Sequence, residues 1–238
     1  MHPGALDVSS IASDIYRRTC RVTFDAPGFC VLNVGQDIDS VAFRRLMVDL
    51  KREMAAIHEE IAGSTLAYLS AARFDQQETT RPHLDGGPDE CFLMLGYEPS
   101  AIDSEIEIAD YARCAFDLGY SPKEFMAEYN PMFSAGYDIL RPYTTRLACF
   151  SRTDYQIICI NNSCAPWSDL RRAWQGTVHT ATIPAPDESQ RRVIDSTMIA
   201  PVPAGTPDTV DGDELNDFIT TSAVRRRGYA NTHLEDDT

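Results

Sequence analysis

"GTVHTATIPAPDESQRRVIDSTMI" runs from Gly176 to Ile199, and its reading decides the fold. Its two ends, "GTVHTATI" and "RRVIDSTMI", are short and β-branched, and a segment rich in Pro, Asp and Ser separates them. Such runs read as strands joined by a turn. "TTRLACF" and "YQIICI", just upstream, have the same character. From residue 144 onward the chain therefore reads as an antiparallel set of strands.

Further toward the N-terminus, helices and strands mix. "SEIEIADYARCAFDLG" reads as a helix, with Ser104 and Glu107 as a capping box and Gly119 just past its end. "SPKEFMAEY" repeats that logic, with Ser121 as cap, Pro122 in the first turn and Glu124 closing the box. The two form a helical insertion at about 101–142. "CFLMLGY" and "TLAYLSAARF" read as strands. Before them, Phe43, Leu46, Met47, Leu50, Met54, Ile57 and Ile61 recur at three- and four-residue steps and line one face of a long helix. Asp39 or Ser40 caps its start, and Gly63 follows its end. "CRVTF" and "FCVLNV" read as two strands broken by Ala26-Pro27-Gly28. Residues 1–15 read as a short lead-in. The tail from about 201 is irregular, with one short helix near Glu214 to Ile219. The whole reads as a single unit of 1–238, mainly β with flanking helices, built as a sandwich or open barrel.

Composition narrows the function classes. A net charge of −15 repels phosphate backbones, so nucleic acid is not expected as a partner. No apolar run approaches the ~20 residues of a membrane span. "MHPGALDVSS" lacks the basic-then-apolar pattern of a secretory signal. The seven cysteines include no Cys-x-x-Cys pair and read as reduced, mostly buried thiols. A cytoplasmic protein is the expectation. "DTVDGDELND" does not match the ligand spacing of an EF-hand.

Five histidines are available. His2, His58 and His233 read as lead-in, helix-rim and tail residues. His83 and His179 differ, because each sits at or in a strand. "RPHLDGGPDE" sets His83 and Asp85 two residues apart, so in an extended segment both side chains point the same way. Gly86 and Gly87 then let backbone approach without a Cβ. In "GTVHTATI" alternation puts Thr177, His179, Ala181 and Ile183 on one face. Taken alone, each histidine reads equally as a core residue satisfied by one hydrogen bond, and His-x-Asp as a loop contact. Taken together, two imidazoles and one carboxylate on one face, with open positions opposite, form the ligand set of non-haem Fe(II) oxygenases.

Arg191 and Arg192 lie 12 and 13 residues after His179. Adjacent strand residues face opposite ways, so one of the two points inward, where a buried guanidinium needs an anion. Among polar groups on inner strands, Arg73, Gln76 and Arg146 are candidates for substrate or co-substrate contacts. Asp89 and Glu90 read as solvated turn residues or as partners for a cation.

His-x-Asp, a distant His and an Arg about a dozen residues later, among short strands, resemble the Fe(II)/2-oxoglutarate-dependent oxygenase superfamily. So do "GFCVLNV" followed by the long helix, and "GTVHTATI" leading to "RRVIDSTM". The resemblance covers roughly Phe24 to Ala200. It implies a double-stranded β-helix of jelly-roll type, with His83, Asp85 and His179 on Fe(II). It also implies 2-oxoglutarate as co-substrate, its distal carboxylate on Arg192, with Arg191 as the alternative. Many relatives place a substrate-contacting residue four positions after that arginine, and Ser196 holds the place here. The implied activity couples 2-oxoglutarate decarboxylation to O2-dependent oxidation of a C–H bond, by default hydroxylation. Desaturation and oxidative cyclisation start from the same hydrogen abstraction. The expected substrate is a small molecule such as an amino acid or natural-product intermediate. Two other readings use the same residues: an iron oxidase independent of 2-oxoglutarate, and a jelly-roll binding module without catalysis. A Zn(II) hydrolase ranks below them, because no separate general base is visible.

Overall fold

The computed structural model describes residues 7–147, 150–167 and 172–227. His2, His233 and the Ala148-Cys149 pair of "TTRLACF" lie outside them.

The long apolar stripe forms α2 (Ser40–Ala62). Asp39 caps it by accepting a hydrogen bond from the backbone N–H of Ala42. Gly63 ends it at φ 67°, a left-handed conformation that glycine adopts without strain. A shorter helix, α1 (Val8–Thr19), precedes it and packs on it. This corrects the lead-in reading of residues 1–15. Asp7 caps α1, and Ala12, Ile15, Tyr16 and Thr19 are its buried stripe. "CRVTF" forms no strand. Its Arg21 is buried, and its guanidinium donates to the carbonyls of Ala26 and Gln175 and to Asp110, contacts made across the fold.

The remaining strands are β1 (Phe29–Gly35), β2 (Ser64–Gln76), β3 (Phe92–Tyr97), β4 (Glu105–Ala109), β5 (Thr144–Arg146), β6 (Tyr155–Asn161), β7 (Val178–Thr182), β8 (Val193–Pro203) and β9 (Arg225–Arg227). They form a large sheet in the order β1-β6-β3-β8-β2-β9 and a small one in the order β5-β4-β7. All pairings are antiparallel except the short β2–β9 edge pairing.

Alternation explains the layers. On β3 and β6, Phe92, Met94, Ile157 and Cys159 face one way and join α1 and α2 in one core. Leu93, Leu95, Ile158 and Ile160 face the other way. There they meet Ile106 and Ile108 of β4 and Ala181 and Ile183 at β7. The large sheet is thus covered by helices on one face and by the small sheet on the other. That double burial is why "CFLMLGY" and "YQIICI" are continuously apolar.

Within the insertion the reading needs one correction. "EIEIA" is strand β4, and no Ser104–Glu107 capping box forms. Its isoleucines alternate into the inter-sheet core, and pairing with β7 overrides the helical signature. The helix begins only at α3 (Tyr111–Asp117), capped by Asp110. Gly119 does lie past its end at φ 77°. The Ser121–Glu124 capping box opens α4 (Pro122–Glu128), and α5 (Ser134–Leu140) follows. The tail is more ordered than its composition suggests: β8 runs to Pro203, and α6 (Gly212–Thr220) leads to β9. Among the described residues, no helix is long and apolar enough to cross a membrane.

Candidate metal centre

After β2 the chain leaves the large sheet and crosses to the free edge of β7. Thr80 N–H donates to the Ala181 carbonyl at 2.9 Å. His83 and His179 then exchange backbone bonds, at 3.1 and 3.2 Å. This bridge sets the two imidazoles side by side, with ring centroids 4.5 Å apart. Asp85, two residues on, faces the same way, and His83 Nε2 lies 3.6 Å from its Oδ1. One ligand atom from each of His83, Asp85 and His179 lies within 4.8 Å of the others, the one such group of three among the described residues.

The donor set fits a first-row divalent ion: two imidazoles and one carboxylate, with one side open. His83 Nδ1 is 2.7 Å from the carbonyl oxygen of Arg81, so it carries the proton, and the lone pair falls on Nε2. The Asp85 carboxylate beside Nε2 raises the pKa of His83, because it favours the protonated ring, against the effect of burial. His179 is shifted the other way, down to about 4, first by burial and then by the charge that His83 would carry if protonated. It stays neutral at ordinary pH, as a metal ligand must. Its Nδ1 is buried and has no hydrogen-bond partner among the described residues. The side chains of His83 and Asp85 are 26% and 41% exposed, so the mouth of the site is open.

The centre sits in a cleft between the sheets, also lined by Phe74, Gln76, Thr80, Leu95, Tyr97, Ala181, Arg192, Ile194 and Ser196. Arg192 is 2% exposed. Its Nη1 donates to the backbone oxygen of Gln76 at 3.0 Å and to Gln76 Oε1 at 3.2 Å. The guanidinium carbon lies 5.1 Å from the centroid of the Tyr97 ring. Nη2 is buried with no partner among the described residues. Burial lowers the Arg192 pKa, partly offset by Tyr97 and Asp75. An arginine nevertheless remains charged, so the cleft holds a cation with one donor atom, Nη2, that has no partner among the described residues.

The candidate residues therefore separate. His83, Asp85, His179, Gln76, Arg192 and Ser196 line one cleft. Arg191 is exposed and lies outside the lining. Arg73 alternates with Phe74 and Gln76 and so points to the helix-covered face. There it donates to Asp195 at 2.8 Å and to Glu98 at 2.7 Å, beside Arg44. Arg146 lies on β5, separated from β7 by β4, and pairs with Glu105 in solvent. Asp89 pairs with Lys123 at the surface, and Glu90 accepts from the Trp174 backbone N–H. His58 belongs to the helix layer, between the hydroxyls of Tyr16 and Ser64. Sequence reasoning missed Tyr97 and Thr80. Tyr97 closes an apolar strand with a polar tip, and that was its only signal.

No family model matches the chain, and no curated protein matches it. Among solved structures, a variant of the iron and alpha-ketoglutarate-dependent endoperoxidase NvfI is similar over 77% of this chain and 82% of its own, at 13% identity and a TM-score of 0.35. The same enzyme in a different conformation is similar over 79% and 81%, at 11% identity and a TM-score of 0.35.

Proposed function

We propose that the chain is a non-haem iron oxygenase that uses 2-oxoglutarate as co-substrate to oxidise a C–H bond of a small molecule. One observation carries the reading. The described residues place two imidazoles and a carboxylate in the same cleft as a buried guanidinium with an unpartnered nitrogen. A triad alone suits any divalent ion. A buried cation with an unpartnered donor atom beside it calls for an anionic ligand.

In this reading His83, Asp85 and His179 hold Fe(II) from one side, and Arg192 takes the distal carboxylate of 2-oxoglutarate. Arg191 remains the alternative partner only if the cleft-facing residue proves inactive. When bound, the iron with 2-oxoglutarate and O2 supplies the oxidising power, and succinate and CO2 leave. The chain's own residues bind, orient and exclude water. Gln76 fixes the guanidinium, Tyr97 forms its floor, and Phe74, Leu95, Ala181 and Ile194 make the wall apolar. Ser196 is placed to touch an oxygen of co-substrate or substrate. In this reading the two facing sheets belong to a double-stranded β-helix core within one oxygenase-like unit. Hydroxylation of an amino acid or natural-product intermediate is the default outcome.

The test is anaerobic addition of Fe(II) and 2-oxoglutarate, watched for the weak visible charge-transfer band of the chelate. The wild type develops the band. His83→Ala and His179→Ala lose both the band and stoichiometric Fe(II) binding. Iron affinity equal in all three proteins defeats the metal assignment. Stoichiometric iron binding without the band, with turnover that needs O2 alone, moves the reading to an oxidase independent of 2-oxoglutarate.

A further inference from the structure

The three ligand residues are not held in the same way. His83 and His179 fix each other through their backbone bridge on the edge of the small sheet. Asp85 lies beyond that bridge, and the pair Gly86-Gly87 follows it. Among the described residues the strand pairing ends at His83. Its main chain is held from the opposite sheet by one side chain, Asn162, immediately after β6. The Asp85 N–H donates to Asn162 Oδ1 at 2.9 Å, and Asn162 Nδ2 donates to the Asp85 carbonyl at 2.9 Å. A side-chain amide thus stands in for a paired strand residue, satisfying the donor and the acceptor of one peptide position.

Asn162 is itself fixed. It is 2% exposed, and its backbone N–H donates to the Cys91 carbonyl at 3.0 Å. Its described hydrogen bonds go to the Asp85 main chain and to Cys91, not to a ligand atom of the triad. Its two bonds set where the Asp85 backbone sits, and hence where the carboxylate points relative to two imidazoles anchored elsewhere. We infer that Asn162 is a positioning residue for the metal carboxylate, coupling the large sheet to the histidines of the small one. This inference rests on the metal reading of the triad and adds a residue outside the ligand set.

Losing an outer-shell partner of this kind costs about ten- to a hundredfold in metal affinity. Asn161 provides a matched control. It is equally buried, and its amide serves the Thr19 carbonyl and the Ser163 N–H, away from Asp85. The experiment titrates Co(II) into full-length wild type, Asn162→Ala, Asn161→Ala, Asp85→Ala and Asn162→Ala/Asp85→Ala. Affinity and the visible cobalt spectrum are read at each step, and Tm is measured without metal. Asn162→Ala should weaken Co(II) about ten- to a hundredfold and shift the spectrum toward that of Asp85→Ala. Asn161→Ala should keep wild-type affinity even if its Tm falls as far. In the Asp85→Ala background, removing Asn162 should change affinity no further, the mark of two residues acting through one contact. Additive losses in the double variant, or wild-type affinity in Asn162→Ala, overturn the inference while leaving the metal centre standing. Equal Co(II) affinity in wild type and Asp85→Ala overturns the metal reading and the inference with it.

Discussion

Replacing Arg192 by Met separates the two halves of the proposed site. Met is chosen because its straight apolar chain refills the space over the Tyr97 ring. In the wild type Nη1 is already tied to both oxygens of Gln76, so the guanidinium is fixed before any ligand arrives. Nη2 is buried with no partner among the described residues, so an arriving carboxylate meets a preorganised donor. A hydrogen bond to a charged group contributes about 1.5–3 kcal/mol net, and each 1.4 kcal/mol is tenfold in affinity. Arg192→Met should therefore raise the apparent 2-oxoglutarate constant about ten- to a hundredfold. Iron affinity should not move, since no ligand is lost. Stability provides a second, opposite signature. No carboxylate pairs with the guanidinium among the described hydrogen bonds, and replacing a buried charge of that kind by an apolar side chain is often neutral or stabilising. Tm without co-substrate should hold or rise, while the upward shift of Tm caused by 2-oxoglutarate should fall away. The assays are 2-oxoglutarate titration of the anaerobic iron complex and thermal melts with and without the ligand. Exposed Arg191→Ala should change little in either. An unaltered titration in Arg192→Met refutes the reasoning, and a large effect at Arg191 instead reassigns the carboxylate partner.

Two further expectations concern the helix layer. His58 is 4% exposed and lies 2.7 Å from the Tyr16 hydroxyl and 3.0 Å from the Ser64 hydroxyl, and burial holds its pKa below the usual 6.5. The unfolded chain takes up a proton near pH 6.5 that the folded ring resists, so this group removes stability as pH falls below that value. Urea melts at about pH 7.5 and about pH 5.5 should show a smaller acid loss in His58→Gln than in wild type, and equal losses would count against a neutral buried ring. At Gly96 a Cβ would lie 2.6 Å from Met47 Sδ and 2.7 Å from Phe43 Cε1, because α2 rests directly on β3 there. Gly96→Ala should cost about 1–3 kcal/mol by overpacking, read as a lower urea midpoint, and an unchanged midpoint would contradict that close approach.

Signals that are local in the chain were legible, and those made by distant partners were not. The stripe from Phe43 onward and its caps carry α2 without help, and β-branched runs carry β6, β7 and β8. "SEIEIAD" carries two signals at once, a capping box and a period of two. Which one prevails is settled by β7, whose paired residues lie 69 to 77 positions further along the chain. "CRVTF" looks extended and β-branched, but Arg21 is held by Gln175 and Asp110, and no local rule contains those contacts. The same division runs through the site. His83 and Asp85 were readable as a pair because an i, i+2 spacing is a local fact. The choice between Arg191 and Arg192 needed the direction of an extended segment, which only its register with β2 supplies. Arg73 failed as a cleft candidate for that reason: one residue of register places it opposite Asp195, beneath the helices.

This division also explains how the site is built. The imidazoles are fixed by the small sheet, whereas Arg192, Gln76 and the amide that holds Asp85 belong to the large one. The centre exists only where the two sheets face each other, and what fixes their spacing is the apolar layer of Leu93, Leu95, Ile106, Ile108, Ile158 and Ala181. That layer contains no polar group of the site, yet it sets the distance between ligands drawn from different sheets. Close-packed interiors transmit small volume changes instead of absorbing them. The residues that tune such a centre are therefore found in the inter-sheet core and in the contacts that cross it, as well as among the ligands.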